Sequence, residues 1–355
     1  MSEIMDEVIR SIKIMQTRLE IAKFGEKKPL SRADFSICLT GVHCILSGSK
    51  PVGLAPTDHP DMEKLRMHLE HKTRGGHDKK SIVDYLAKTR HYGCGRKYFD
   101  FWSFWNNRPN FKIEDMKEEN RKRFEELKDF CKPFEEIIGL KGFIAWDVAE
   151  SIQIVREAFL CGYIDEVLAG EIAADFTNMA LHTYDDWTDF ALSYVCGGCY
   201  FIYESCGKEE EVKKMCDKIL GAFEELFFSD HNDIWAKYAW FVPKNYFNGF
   251  KPEKDLADKK LGCFVTDRIS MEGAPIQYAE RQPANPKYPD SGWKFMAGDE
   301  TTSYLADRNN IAVFTLNYMA NYDESLLSIL DAPVGSVYVR NEQGDFVLRE
   351  KELKN

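Results

Sequence analysis

No apolar run in this 355-residue chain approaches the roughly 18 residues that a membrane-spanning helix requires. Its first residues, MSEIMDEVIRSIKIM, carry acidic side chains and lack the uninterrupted apolar stretch of a secretory leader. The expectation is therefore a cytoplasmic protein that makes no use of a membrane. Also missing are G-x-S-x-G, the phosphate-binding P-loop, G-x-G-x-x-G after a strand, and H-E-x-x-H. Hydrolase, nucleotide-binding and zinc-protease chemistry thus have no sequence support, and no catalytic residue, cofactor or metal ligand is assigned. The ten cysteines are too thinly spread for a disulfide scaffold. Cys161, Cys196 and Cys216 lie within apolar helical stretches, where buried free thiols are expected.

The net charge of −11 is unevenly placed. Residues 140–250 hold 8 Lys+Arg against 19 Asp+Glu, so this stretch carries a formal charge of −11 by itself. Residues 1–139 are slightly basic and 259–355 slightly acidic. An acidic surface repels nucleic acid and attracts basic partners, so no nucleic-acid partner is expected.

Periodicity divides the chain into a mainly α-helical amino-terminal part and a small α+β carboxyl-terminal part, α+β overall. Ile4, Val8, Ile12, Met15, Leu19 and Ala22 recur at three- and four-residue spacing and predict an amino-terminal helix within residues 1–34, ending near Gly25. A helical domain over 35–228 follows. Its apolar stretch 35–46 leads into a loop rich in Pro and Gly, then short helices at 61–71 and 79–89 around Gly75-Gly76. An aromatic helix at 98–105 and a charged helix at 114–138, interrupted at Pro133, come next. Helices at 143–161, 165–182, 186–205 and 209–228 have short connections with stops at Gly162 and Gly207, which implies an antiparallel bundle. Residues 229–258 read as a linker, partly packed because of Trp235, Tyr238, Trp240 and Phe241. Over 259–350 the period shortens, and strands are predicted at 262–265, 276–279, 293–296, 311–315, 336–339 and 346–348, with helices at 300–305 and 324–330.

Several constellations invite a chemical reading. Cys196-Gly-Gly-Cys199 has redox or zinc spacing, but it has neither a preceding strand nor a second pair. Two small glycines in an apolar helix equally allow close helix approach. His59, His68, His71, His77 and His91 crowd one region, and His68 and His71 could share a metal on one helix face, although no carboxylate stands at a familiar ligand spacing. Asp185, Asp186 and Asp189 stand where carboxylates cap a helix start. Asp147 beside Trp146 is either a buried hydrogen-bonded lock or a site carboxylate. Asp290-Ser291-Gly-Trp293 and Gly298-Asp299-Glu300 have turn chemistry. Together with Asp323 and Asp331 these carboxylates could converge on a metal or form an acidic binding face.

The ordered motifs Asp290-Ser-Gly-Trp293, Gly298-Asp-Glu300, Asn321-Tyr-Asp323 and Asp331-Ala-Pro-Val-Gly-Ser336 with Arg340 resemble the immunity protein 33 family, also catalogued as domain of unknown function 2185, over about 262–348. Upstream, Ala145-Trp146-Asp147, Arg156, Gly162-Tyr163-Ile164, Tyr184-x-x-Trp187, Tyr194 and Gly198 resemble domain of unknown function family 1266, a helical bacterial family, from about residue 35 to 228. Where that resemblance leads one to expect an arginine, three positions after the Trp-Asp pair, this chain has Glu150. An arginine there could pair with Asp147, which puts the role of Asp147 in question.

The immunity resemblance implies a non-catalytic bacterial protein that neutralises a cognate protein toxin of a polymorphic toxin system by binding it. On that reading the candidate binding surface is Asp290, Ser291, Trp293, Asp299, Glu300, Asp323, Asp331 and Arg340. Trp146, Asp147, Arg156, Tyr184, Trp187 and Gly198 are expected to be structural. The alternatives are a metal-dependent hydrolase using the carboxylates or the histidine-rich segment, and an interaction scaffold in the helical part.

Overall fold

A computed structural model describes residues 2–49, 61–241, 244–286, 289–306 and 310–349. The chain forms two compact units, 1–242 and 243–355.

The first unit is all helical: α1 Glu3–Ile21, α2 Arg32–Cys38, α3 Gly41–Ser47, α4 Met62–Thr73, α5 Lys79–Tyr92, α6 Cys94–Trp105, α7 Glu118–Cys131, α8 Glu135–Ile138, α9 Ile144–Leu160, α10 Glu166–Thr183, α11 Trp187–Cys206, α12 Glu209–Phe228 and α13 Ile234–Lys237. The Ser2 hydroxyl caps α1 by accepting from the Met5 N–H at 3.2 Å, and α1 buries Met5, Val8, Ile9, Ile12, Met15 and Leu19 as one stripe. The apolar stretch 35–46 is two short helices rather than one. Its break lies at Leu39–Thr40, where the Thr40 hydroxyl donates to the Ile37 carbonyl at 2.7 Å and competes with helix continuation. Asp165 and Asp186 cap α10 and α11 through the N–H groups of Leu168 and Asp189, whereas Asp185 and Asp189 both hold Lys141.

The centre of the bundle is the crossing of α9 and α11. A Cβ on Gly197 would stand 2.6 Å from Cβ of Trp146, and one on Gly198 would stand 2.9 Å from Cζ3 of the same indole. Only glycine permits this approach, because close-packed interiors leave no room for an added methyl.

Residues 229–258 are divided between the units. Trp235 is buried in the helical unit, stacked on Trp187 with ring centroids 5.3 Å apart, and its indole N–H donates to the Cys38 carbonyl at 2.9 Å. Phe247 belongs to the core of the second unit. There Asn317 accepts from the N–H groups of Leu256 and Ala257, and Asn321 from those of Glu253 and Lys254.

The second unit is a six-stranded mixed sheet: β1 Gly262–Thr266, β2 Tyr278–Arg281, β3 Asp290–Met296, β4 Ile311–Thr315, β5 Val337–Arg340 and β6 Phe346–Leu348, in the order β4-β1-β3-β2-β5-β6. Among the described strands of this sheet, β1 and β3 pair in parallel and the other neighbours are antiparallel. The short helices α14 Asp267–Ser270, α15 Thr302–Ala306 and α16 Leu316–Tyr322 and 3-10 helices at Tyr246–Gly249 and Glu324–Ser328 accompany it. Cys263, Val265, Ala279, Trp293 and Phe295 pack with Ile269, Leu316, Met319, Leu326 and Ile329 into one core.

Candidate binding face of the carboxyl-terminal domain

Cross-strand partners point to the same side of a sheet, and successive residues alternate. One row of partners, Ala312, Val265, Phe295, Ala279 and Tyr338, runs over the side that the short helices cover. The adjacent row therefore faces the other way. It comprises Val313 on β4, Phe264 on β1, Lys294 on β3, Glu280 on β2 and Val337 on β5. Val313 keeps 64% of its surface exposed and Phe264 41%, large values for apolar residues within a sheet.

Two hollows flank the Phe264 ring. One, of about 530 Å³, is bounded by Thr266, Glu280, Lys294, Met296 and Leu305. The other, of about 540 Å³, is bounded by Lys260, Pro289, Asp290 and Val313. The result is an apolar ridge between two depressions, with Lys294 opposite Glu280 beside it. This surface can take up apolar side chains of a partner and orient them with charges of both signs.

The carboxyl-terminal residues singled out from the sequence do not meet at one site. Trp293, expected on the binding surface, is fully buried, and its indole N–H donates to the Leu330 carbonyl at 3.2 Å. Ser291 is buried as well, donating to the Gly262 carbonyl at 2.6 Å and accepting from the Trp293 N–H. Both are corrected from surface to core, because the Asp-Ser-Gly-Trp motif builds an irregularity in β3. Asp290 accepts from the N–H groups of Asn285 and Gly292, each at 2.8 Å. Gly292 has φ +75, and a Cβ there would meet the Gln282 carbonyl oxygen at 2.0 Å. Glu300 accepts from the N–H groups of Ala297 and Gly298 and from the Thr266 hydroxyl, while Asp299 pairs with Arg268. Arg340 binds Asp323, the Ser325 hydroxyl and the carbonyls of Ile276 and Gly344, and lies over the Phe346 ring. Asp331 is exposed. Of the set, only Asp290 borders a hollow.

The motif residues of the helical unit fasten helices to one another. Asp147 accepts from the backbone N–H groups of Cys94 at 2.9 Å and Gly95 at 2.8 Å, capping α6 from a neighbouring helix. Burial pushes its carboxyl up to about 7, and the two N–H groups offset this only in part. Asp147 therefore has its partners without an arginine at position 150. Glu150 accepts from Lys72 at 2.7 Å and lies 2.9 Å from Nε2 of His43. Buried Arg156 reaches the Thr40 hydroxyl at 3.0 Å and the Cys44 sulfur at 3.2 Å. The Tyr184 hydroxyl joins the Ala145 N–H to the Ser193 hydroxyl. Trp187 donates to the Tyr238 carbonyl.

The histidines do not converge. His68 bonds Glu157 at 2.6 Å, whereas His71, His77 and His91 are exposed; His59 lies outside the described residues. Among the described residues, no three His, Cys, Asp or Glu side chains are grouped to hold a metal ion. Cys196 and Cys199 are buried free thiols; burial opposes ionisation of Cys196, and a hydrogen bond with Cys216, reinforced by burial, opposes that of Cys199. No described helix is long and apolar enough to cross a membrane.

Sequence reasoning missed Phe264, Val313, Lys294 and Glu280. The alternation Cys263, Phe264, Val265 was available, but a run of apolar residues this short does not reveal which face a domain leaves open.

The curated proteins and the solved structures contain no match to this chain. Residues 263–350 match the Immunity protein Imm33 domain, which spans the whole sheet from Cys263 onward. Residues 60–240 match Protein of unknown function (DUF1266), a match that begins later than the motifs suggested and extends to take in the buried Trp235. With just over half its length in that match, the chain belongs to the DUF1266 family and carries an Imm33 immunity domain after it.

Proposed function

We propose that this is a non-catalytic, cytoplasmic bacterial immunity protein that neutralises a cognate protein toxin by binding it across the open face of the carboxyl-terminal sheet. The observation that carries the reading is the Phe264 ridge between two hollows in a domain of the immunity class. Interfaces draw most of their energy from a few large apolar anchors seated in pockets, and flanking charges govern encounter and register. Phe264 and Val313 supply the anchor, and Lys294 and Glu280 the charges. The acidic stretch 140–250 favours approach of a basic toxin. A hydrolase would need its carboxylates to converge, yet Asp290, Asp299, Glu300 and Asp323 each serve a separate local partner.

The test is co-expression with each toxin-domain protein encoded in the source genome. The full chain is expected to restore growth and co-purify with the toxin. Phe264→Asp should abolish both while the thermal unfolding midpoint stays near that of the parent. Rescue by Phe264→Asp equal to the parent's would overturn the open face as the site, and no rescue by the parent would overturn the immunity reading.

A further inference from the structure

The helical unit contains one helix attached in a different way from its neighbours. Leu69 is the sole buried residue of α4, whereas α9, against which α4 packs, buries twelve. Apart from Leu69, which lies in the core, what joins α4 to α9 is charge. Nδ1 of His68 lies 2.6 Å from Glu157, and Nζ of Lys72 lies 2.7 Å from Glu150. His68 and Lys72 are one turn apart, and Glu150 and Glu157 are two turns apart, so each pair of residues shares one face of its helix. The two carboxylates are deeply placed, with side chains 12% and 7% exposed, while His68 is 42% exposed and looks toward water.

We propose that α4 is a strap closed over an acidic trough on α9 by these two ion pairs, and that it opens as a unit, more often once His68 has lost its proton. A helix held by apolar packing must expose that surface to leave, and no solvent change short of denaturant compensates it. A helix held by ion pairs exchanges each pair for hydration, so its opening equilibrium follows the charge state of its partners. Opening uncovers Glu150 and Glu157 within the most acidic stretch of the sequence.

The groups around each contact fix the direction of the pH response. His68 faces Glu157 and Glu150 on α9, with Lys72 on its own helix; the bond to Glu157 raises its pKa above the ordinary histidine value. Lys72 faces Glu150 and Glu157 on α9 and Tyr85 on α5, and it lies over the Phe201 ring of α11. Burial works against the Lys72 ammonium, but the glutamates outweigh it and raise its pKa. Glu150 faces His43 on α3 as well as Lys72; burial opposes its charge, and these two partners hold it well below the usual carboxylate range. A cation with a raised pKa contributes its full attachment below the unfolded value and loses it as pH rises through the folded one. His68, whose ordinary value is the lower of the two, therefore releases first as pH rises, and Lys72 remains paired to more alkaline conditions. This inference does not rest on the toxin reading.

Hydrogen exchange of the full-length chain, read by mass spectrometry and corrected for intrinsic exchange, tests it between about pH 6 and pH 9, where histidine discharges. Peptides of α4 are expected to exchange faster than those of α9 and α11 throughout. Their protection should fall by about fivefold across that range, the scale of one half-exposed ion pair, while α9 and α11 hold constant. In His68→Gln the pH response of α4 should vanish, with protection fixed near the parent's alkaline value. Equal protection of α4 and α9 in the parent, or a pH response that persists in His68→Gln, would overturn the proposal.

Discussion

The helical unit and the sheet unit treat their apolar faces in opposite ways. In the former, α11 is buried without interruption from Phe190 to Tyr200, because α9 and α12 pack against it and glycines let α9 come close. In the latter, β1 alternates, with Cys263 and Val265 in the core and Phe264 left half exposed. A bundle helix surrounded by neighbours spends its whole circumference on stability. A sheet with a single layer of helices keeps one side for something else. The same comparison holds within the sheet unit, where Trp293 on one side of β3 is fully enclosed and Lys294, its neighbour in sequence, borders a hollow.

The largest expected effect breaks the covered side. Trp293→Ala removes an enclosed indole and leaves a cavity, at a cost of about 3–5 kcal/mol. Chemical denaturation should show the sheet unit melting early while the helical far-ultraviolet signal persists. A smaller effect is expected at Asp147 in the bundle. Asp147→Asn turns one acceptor into a donor facing a buried N–H, costing about 1–3 kcal/mol. The pH profile sharpens this point. Between about pH 4 and pH 7 folded Asp147 keeps a proton that the unfolded chain has released, so stability from this group falls as pH rises through that window. The fall should be absent in Asp147→Asn, as measured by urea midpoints across the window. The smallest stability effect belongs to the open side, where Phe264→Ala should cost at most about 1 kcal/mol. If Phe264→Ala destabilised as much as Trp293→Ala, the two sides of the sheet would not differ as described.

What was legible in the sequence followed from how often a pattern repeats. The stripe on α1 spans five turns, and α9 to α12 are bounded by capping aspartates and by glycines at positive φ, so existence and order could be read there. The helices α14 and α16 were not read, because each follows its strand directly. Thr315 ends β4 and also caps α16 through the Tyr318 N–H at 3.1 Å, leaving no turn residues between them. The candidate site was less legible still. Conspicuous motif residues such as Asp290, Ser291 and Arg340 bind backbone groups of their own domain. The residues that form the open face are ordinary ones, and only the register of five strands brings them into a row.

All ten cysteines are free, and eight of them are buried, leaving Cys206 exposed and Cys161 half-buried. Cys263 is the only one in the sheet unit, and it lies in that unit's core with its sulfur against the Phe314 carbonyl. The chain thus contains its own chemical clock. Under a pulse of thiol-alkylating reagent in mild denaturant, modification of Cys263 dates the opening of the immunity domain, and modification of Cys196 and Cys199 dates that of the helical unit. Mass spectrometry can follow the two events in one sample, with Cys206, modified at once, as the internal standard.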